Sequence, residues 1–284
     1  MSGFLCLCRV GCYDCIMPRW ARASDGGMAD RVLKRSEKGA DLLTWKADML
    51  AQYPMDSNAM VCDLDAERTG LLLAYVAETT LSDELSGFVA EVTRRFPKHL
   101  RVKELFETAE AYKRIGQAIY EQWRDGRVET IYDFACGHGL LGVLLAYRFP
   151  KLRVVCVDQE RRAAFDNYLT VARGLGVPLS NLVYVEGDFR DVKLPPKSYV
   201  ICIHACNEAT KAAIEMAAAA KACYAAMPCC IRDGIYIRRI KHVDDDTRYA
   251  ASVGVIAGRF GAYKITAIDD RITNRNLIIL GRGE

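Results

Sequence analysis

Apolar residues recur in two different patterns along the chain, and the pattern changes near residue 128. Before that point they return every three or four residues, which is the spacing of amphipathic helices. After it, short apolar runs alternate with helical stretches, as in sheets built from β–α units. The chain is therefore predicted to have a helical segment over residues 28–127 and an α/β domain over residues 128–284.

The longest helix of the first segment is predicted over residues 103–125, and Gly126 is placed to end it as a C-cap. A shorter helix is predicted to begin after Ser82, because a capping hydroxyl is followed there by two acids. We expect the apolar face of the longer helix to pack on the sheet. That face comprises Leu105, Ala109, Tyr112, Ile119 and Trp123.

The second segment contains seven predicted strands. They are placed at residues 128–134, 153–157, 182–185, 199–203, 227–231, 263–268 and 277–280. Helices are predicted at 140–149, in an alanine-rich stretch that ends near 226, and at 246–257. The first five strands, joined by helices, favour a parallel arrangement.

A glycine-rich turn joins the first strand to its helix, in the sequence Asp133-Phe134-Ala135-Cys136-Gly137-His138-Gly139. Glycines let a backbone approach a ligand, and the following helix N-terminus offers free N–H groups. The turn could cradle a nucleotide-like molecule. Alone it is weak evidence, because many β–α connections need glycine only for backbone freedom.

Acidic residues at the ends of the next two strands strengthen this interpretation. Asp158 ends the second strand about twenty residues beyond the glycines, where dinucleotide-binding folds place an acid on a ribose hydroxyl. The third strand runs into Asp188 and Phe189, an acid with an aromatic neighbour at the same sheet edge. Along the chain, the glycine turn is therefore followed by a candidate ribose contact and then by a candidate adenine contact.

Together these motifs resemble those of class I S-adenosylmethionine-dependent methyltransferases, whose first motif reads acid-x-Gly-x-Gly-x-Gly. Here it reads Asp133-x-Ala135-x-Gly137-x-Gly139, with alanine in place of the first glycine. The resemblance covers residues 128 to the C-terminus. It implies a doubly wound, Rossmann-like seven-stranded sheet with an antiparallel last strand, preceded by the helical segment, and S-adenosylmethionine as cofactor.

The resemblance also implies roles for single residues. Asp133, Gly137 and Gly139 would meet the amino-acid end of the cofactor, with Ala135 in the same turn. Asp158 would bind the ribose. The adenine would lie against Asp188 and Phe189. An NAD-binding Rossmann enzyme is the alternative, and the acid after the third strand argues against it.

Candidate catalytic residues follow the fourth strand, whose C-terminal end should reach the ligand crevice. They are His204, Asn207 and Glu208. A histidine can accept the proton of a hydroxyl acceptor at neutral pH. The equally weighted alternative is that His204 only caps the strand or hydrogen-bonds the backbone.

The pattern His204-x-Cys206-x-x-Ala209-Thr210, with Pro228-Cys229-Cys230 later, resembles one branch of the methyltransferases. That branch includes eukaryotic acceptor-stem tRNA 2'-O-methyltransferases and uncharacterised methyltransferase-like proteins. Asn207 and Lys211 depart from the glycine and aspartate of the tRNA enzymes. The resemblance favours an RNA ribose hydroxyl as acceptor. A small-molecule or protein acceptor, or a non-catalytic binding protein, stays open.

A cytosine C5 methyltransferase would need a thiolate nucleophile, and Cys206, Cys229 or Cys230 could supply it. This alternative ranks lower because the proline–cysteine pair lies on strand five rather than strand four. Paired cysteines in an apolar strand are also usually core residues.

Four residues near the sheet edge are candidates for binding the substrate. Arg232 continues the rim after the fifth strand, and the turn between the last two strands carries Arg271, Asn274 and Arg275. A hairpin turn that favours Asn for its backbone conformation would explain Asn274 without a role in binding, but it explains the two arginines less well.

A basic stretch in the helical segment is a candidate RNA contact. Phosphates could be neutralised there, although such runs are more often solvated surface. Its cations are Arg94, Arg95, Lys98 and Arg101. The whole chain has 39 basic and 36 acidic side chains, a net charge of +3, which neither demands nor excludes a nucleic-acid partner.

The chain has twelve cysteines, many of them within apolar elements, which indicates reduced thiols and an intracellular protein. With no apolar run of about eighteen residues, a membrane span is not expected. Residues 1–27 are predicted to be a disordered or targeting leader. A cytoplasmic location is expected, and a targeting role of the leader would instead imply a plastid or mitochondrial location. The leader holds four clustered thiols whose spacing matches no standard zinc module, and we predict no metal site. Acylation of these thiols is the other alternative. They are Cys6, Cys8, Cys12 and Cys15.

Overall fold

A computed structural model describes residues 49–56, 58–205, 208–230 and 242–283, all within one compact unit. The leader and its four cysteines lie outside the described residues. Among the residues that are described, no helix has both the length and the apolar character needed to cross a membrane.

Before the sheet, the described chain forms helices α1 (Ala66–Thr80), α2 (Asp83–Arg95) and α3 (Val102–Arg124). The predicted cap of α2 is confirmed, since the Ser82 hydroxyl accepts the N–H of Leu85 at 3.3 Å. At the end of α3, Gly126 has φ +72° and its N–H donates to the Trp123 carbonyl. A glycine supports this left-handed turn without a side-chain clash.

Helix α3 confirms the predicted apolar face. Leu105, Ala109, Tyr112 and Ile119 are buried, and Trp123 packs half-buried against the same cluster. The face contacts α1 and the helix after the glycine turn, so α3 belongs to the core rather than to a detached segment.

Seven strands form a single sheet in the order β3-β2-β1-β4-β5-β7-β6. Strands β1 to β5 run parallel, and β7 lies antiparallel between β5 and β6. This confirms the Rossmann-like fold with an antiparallel last strand. The strands are β1 (Thr130–Phe134), β2 (Arg153–Asp158), β3 (Leu182–Glu186), β4 (Ser198–Ile203), β5 (Cys223–Met227), β6 (Ala262–Ala267) and β7 (Leu277–Gly281).

Helices cover both faces of the sheet, which explains why the central strands read as continuous apolar runs. Successive residues of β1 alternate between two core clusters, with Ile131 in the cluster on the α1–α3 side and Tyr132 in the other. The remaining helices are α4 (Leu140–Arg148), α5 (Ala163–Gly174), α6 (Glu208–Ala219) and α7 (Asp245–Arg259).

The predicted fifth strand at residues 227–231 was wrong. The alanine-rich helix ends at Ala219, Lys221 turns the chain with φ +51°, and β5 already runs from Cys223 to Met227. Alanine favours a helix locally, but here burial between β4 and β7 outweighs that preference. Cys229 and Cys230 therefore follow the strand instead of lying within it.

Two glycines of the turn after β1 should respond differently to substitution. A Cβ at Gly139 would lie 2.7 Å from the buried Phe165 ring, whereas one at Gly137 would meet no atom within 4 Å. Both have positive φ. We expect Gly139→Ala to lower the free energy of unfolding by about 2–4 kcal/mol, from backbone strain plus overpacking. Gly137→Ala, the matched control, should cost about 1–2 kcal/mol, from backbone strain alone. Equal decreases in urea denaturation would contradict this packing.

Candidate functional site

A cavity of about 270 Å³ opens where β1 and β4 end beside helix α3. Because β1 and β4 are neighbouring parallel strands, their carboxyl ends bring the glycine turn and His204 together. Helix α3 closes the opposite wall. The polar or turn residues that line the cavity include Arg101, Glu104, Glu107, Thr108, Asp133, Ala135, Gly137, His138, Gly139 and His204.

The glycine turn joins β1 to α4, and three of its residues have left-handed backbones. Ala135, Gly137 and Gly139 have φ of +53°, +56° and +74°. Alanine at the first position is therefore compatible with the turn, although glycine would adopt the same φ with less strain. The open space beside Gly137 lets a ligand approach the backbone.

Side chains from two neighbouring strands hold this turn in place. Asp158, at the end of β2, accepts the N–H of Gly137 through Oδ2 at 2.8 Å. The Tyr184 hydroxyl, from β3, donates to the carbonyls of Glu160 at 2.8 Å and Gly137 at 3.4 Å. The structure thus brings Asp158 to the turn, although Asp158 does not itself line the cavity, and its ribose contact stays a prediction.

Asp133 lies beneath the turn and is 3% exposed. Burial raises the pKa of its carboxyl to about 7, the charge of Asp158 adds to the rise, and the backbone N–H of Gly142 partly opposes it. Its Oδ2 accepts no hydrogen bond from a described residue. A carboxyl with an unused oxygen therefore lies on the cavity wall, partly ionised at neutral pH.

The predicted adenine contacts lie away from the cavity. Asp188 accepts the backbone N–H of Arg190 and forms an ion pair with its guanidinium, both at 2.9 Å. Phe189 is 7% exposed, and its ring stacks on Phe134 with centroids 4.9 Å apart. One face of the ring is thus already covered, and the adenine role of both residues stays a prediction.

His204 combines a fixed backbone with a side chain on the cavity wall. Its φ is +53°, and its N–H donates to the Met227 carbonyl at 3.0 Å. Its Nε2 lies 3.1 Å from Oε1 of Glu107. The backbone role and the side-chain role considered as alternatives are therefore not exclusive.

The other predicted catalytic and rim residues are not brought together with His204. Glu208 is exposed at the start of α6 and does not line the cavity. Asn207, Cys206 and Arg232 lie outside the described residues. In the part of the chain that is described, no group of three or more His, Cys, Asp or Glu side chains could hold a metal ion.

The turn between β6 and β7 does not face this cavity either. Arg271 forms a bidentate ion pair with Asp269, and Asn274 is exposed. Arg275 pairs with Asp246 at 3.0 Å and lies over the Tyr249 ring, beside a second cavity of about 330 Å³. A shared role of these three residues in substrate binding stays a prediction.

The sequence analysis missed the contribution of α3 to the site, because it considered only the apolar face of that helix. Glu104 and His138 approach to 3.4 Å between Oε2 and Nδ1, and Arg101 is 3.1 Å from Oε1 of Glu104. Burial raises the pKa of Glu104, but the contacts with His138 and Arg101 outweigh burial and lower the pKa overall. The available signal was Glu104 and Glu107, three residues apart on one helix face.

Two of the four cations proposed for RNA binding are already paired with carboxylates. Arg94 binds Glu91 in bidentate fashion at 2.7 and 2.9 Å, and Arg101 binds Glu104. Arg95 and Lys98 are exposed and form no ion pair within the described residues. The basic surface is therefore smaller than the sequence suggests.

A comparison with known protein families finds a match in this part of the chain. Residues 102–233 match the family described as "Methyltransferase domain". The match begins with the first residue of α3 and includes β1 to β5, so the helix that closes the cavity falls inside it.

One curated relative matches a shorter part. It is a Xenopus laevis glutathione S-transferase C-terminal domain-containing protein, 26% identical over 102 residues. These residues are 36% of this chain and only 16% of the relative.

Several solved structures are similar over part of the chain. A geranyl diphosphate C-methyltransferase from Streptomyces coelicolor is 12% identical, with 74% of this chain and 98% of that one covered and a TM-score of 0.42. An rRNA methylase from Streptococcus thermophilus is 16% identical (56% and 89% covered, TM-score 0.37). A Pyrococcus abyssi tRNA (uracil-54, C5)-methyltransferase is 15% identical (61% and 38% covered, TM-score 0.35).

The buried carboxyl of Asp133 predicts a specific pH dependence of stability. Because its folded pKa of about 7 exceeds the ordinary 3.8, the folded state holds this proton more tightly. Stability should therefore fall as pH rises between those two values. Asp133→Asn cannot ionise, so its free energy of unfolding minus that of the wild type should increase across this window.

Urea denaturation at pH 4, 5.5 and 8 measures this difference, in which the contributions of other groups cancel. Asp270→Asn, at an exposed carboxyl, is the control for the substitution itself. A difference for Asp133→Asn that stays constant with pH would show that the carboxyl titrates normally.

Proposed function

We propose that the protein is an S-adenosylmethionine-dependent methyltransferase whose cofactor lies between the glycine turn and α3. The observation that carries the proposal is the Asp133 carboxyl, buried on the cavity wall with an oxygen that accepts no hydrogen bond from the described residues. A buried carboxyl needs a donor or cation as partner. The amino group of S-adenosylmethionine and its sulfonium are both cationic, and the methyltransferase-domain match agrees with this ligand.

The residues around Asp133 fit the remainder of such a ligand. Gly137 leaves open space for close approach to its backbone. Asp158 uses one carboxylate oxygen for the Gly137 N–H, and a carboxylate has about four acceptor sites, so sites remain for a ribose hydroxyl. The adenine is proposed to lie towards Asp188, at the end of the neighbouring strand β3.

The bound cofactor would supply an already activated methyl group, so the protein mainly has to align the acceptor, exclude water and remove a proton. His204 is the proposed base, because it lines the same cavity at the end of β4. Its position at the end of β4, next to the strand that leads into the glycine turn, is suited to an acceptor hydroxyl.

We propose an RNA ribose hydroxyl as the acceptor. This rests on the sequence pattern around His204 and on the exposed cations Arg95 and Lys98 at the N-terminal side of α3. Phosphates of a longer substrate could contact these side chains while one ribose enters the cavity.

A second candidate is a small neutral or cationic acceptor, favoured by the acidic lining of the cavity. Glu104, Glu107 and Asp133 all line it, and Arg101 is the lining arginine next to Glu104. Carboxylates at the reaction centre would repel a phosphate placed there. The RNA candidate would keep its charged phosphates outside the cavity, whereas a cationic small acceptor would carry its charge into the cavity.

Cofactor binding tests the proposal directly. S-adenosylhomocysteine keeps the cationic amino group, so Asp133→Asn should weaken its binding by about 1–3 kcal/mol in calorimetry. Because a cation favours the ionised carboxyl, wild-type affinity should rise as pH increases towards about 7, and the variant should lose this dependence.

Asp270→Asn serves as the control and should bind like the wild type. NAD should not compete for the site. If NAD binds more tightly than S-adenosylhomocysteine, the proposed cofactor is wrong.

The acceptor classes can be separated with labelled S-adenosylmethionine and a cell extract. Label that ribonuclease removes would identify RNA, whereas label in low-molecular-weight material would identify a small acceptor. For RNA, the double substitution of Arg95 and Lys98 by Gln should reduce the log–log salt slope of binding by about 0.7–0.9 for each phosphate that is no longer neutralised.

Arg94→Gln is the matched control for this experiment. It should have a smaller effect, because the Arg94 guanidinium is already bound to Glu91. An unchanged salt slope in the double variant would argue against RNA binding at this surface.

A further inference from the structure

Glu107 is a buried carboxylate on α3 whose placement the fold alone does not explain. The residue is 8% exposed, and its Oε1 accepts no hydrogen bond within the described residues. Oε1 lies 3.1 Å from Nε2 of His204 and 3.7 Å from Nζ of Lys103. Glutamates are seldom buried to this degree unless paired.

Glu110, one helical turn further along α3, provides a comparison. It is also buried, but its carboxylate receives the Tyr75 hydroxyl at 2.9 Å, which joins α3 to α1. Glu110 therefore has a structural bond between two helices. Glu107 instead faces the end of β4 and lines the cavity with His204.

The backbone around His204 is held at both of its polar groups. Its N–H donates to the Met227 carbonyl, and its carbonyl accepts the Cys229 thiol at 3.5 Å. With the backbone held in this way, the orientation of the imidazole depends on what its ring nitrogens contact. Glu107 is the carboxylate next to one of them.

We infer that Glu107 is a positioning residue for His204, which rests on the proposed methyl transfer to a hydroxyl. With Oε1 only 3.1 Å from Nε2, the carboxylate favours the tautomer that carries its proton on Nε2 and its basic lone pair on Nδ1. As the acceptor oxygen gains the methyl group, its proton passes to Nδ1 and then to water. Glu107 takes up no proton in this step and stabilises the imidazolium formed.

The other histidine of the cavity is less well suited to this role. Glu104, the partner of His138, has the guanidinium of Arg101 at 3.1 Å, whereas the second cation beside Glu107, Lys103, is farther away at 3.7 Å. The distance from Glu104 to its imidazole is also longer, 3.4 Å against 3.1 Å.

The tautomer of His204 provides a readout that does not depend on catalysis. The full chain contains only four histidines, so nitrogen-15 spectra of the imidazoles can be assigned by comparison with His204→Gln. We expect wild-type His204 to carry its proton on Nε2. Glu107→Gln should preserve this tautomer, because an amide oxygen still places partial negative charge beside Nε2, whereas Glu107→Ala should give a mixture.

Methyl transfer from labelled S-adenosylmethionine to the extract fraction that accepts it provides the second readout. Glu107→Gln and Glu107→Ala should lower the turnover about 10- to 100-fold, with S-adenosylhomocysteine affinity unchanged. Glu110→Gln is the matched control and should keep both the tautomer and the turnover.

Two results would overturn the inference. The first is a Glu107→Ala variant whose spectrum shows the same tautomer as the wild type. If that variant does not fold, the same conclusion follows from a Glu107→Gln variant that keeps the full turnover. The other is a loss of S-adenosylhomocysteine affinity as large as the loss of turnover, which would make Glu107 a cofactor ligand. If the wild type binds no S-adenosylhomocysteine and transfers no label, the proposed function fails, and the tautomer spectra still decide whether Glu107 orients His204.

Discussion

The close approach of α4 to strands β1 and β2 is the constraint on which the site depends. A Cβ at Gly142 would lie 2.2 Å from the Cys156 sulfur and 3.4 Å from Oδ2 of Asp133, so only glycine allows this packing. The same approach places the Gly142 N–H against the Asp133 carboxyl. Because the helix lies so close, the preceding turn must be tight and left-handed, and its backbone is exposed towards the cavity.

The distribution of charge follows from that geometry. Acidic side chains from β1 and α3 converge on the cavity, while Arg94, Arg95 and Lys98 lie exposed outside it. Burying a carboxyl is unfavourable unless it gains a partner. For Asp133 this unfavourable term is reduced because the carboxyl holds its proton more tightly. For Glu107 it is reduced because the carboxylate lies beside His204 and Lys103. Both are thus prepared for a positively charged or proton-donating ligand.

Much of the fold could be predicted from the sequence, because its decisive features are local. A short apolar run followed by glycines fixes β1 and its turn, and the apolar positions of α3 repeat at helical spacing. Strand β5 could not be found in the same way, since its alanines favour a helix until neighbouring strands bury them. The contacts of Arg275 with Asp246 and of Glu107 with His204 were likewise unpredictable, because ion pairs between distant elements leave no periodic signal.

The strand order also determines when this site can form during synthesis. Strand β1 pairs with β4, and the ion pair between Glu129 and Lys197 at their shared end joins residues 68 positions apart. Contacts so distant in sequence close large loops and slow folding. During translation, α3 and β1 must leave the ribosome well before β4 can join them. Until then, the Glu107 carboxylate has no imidazole beside it and the apolar edge of β1 is unpaired, so the nascent chain should depend on chaperones most strongly over this interval.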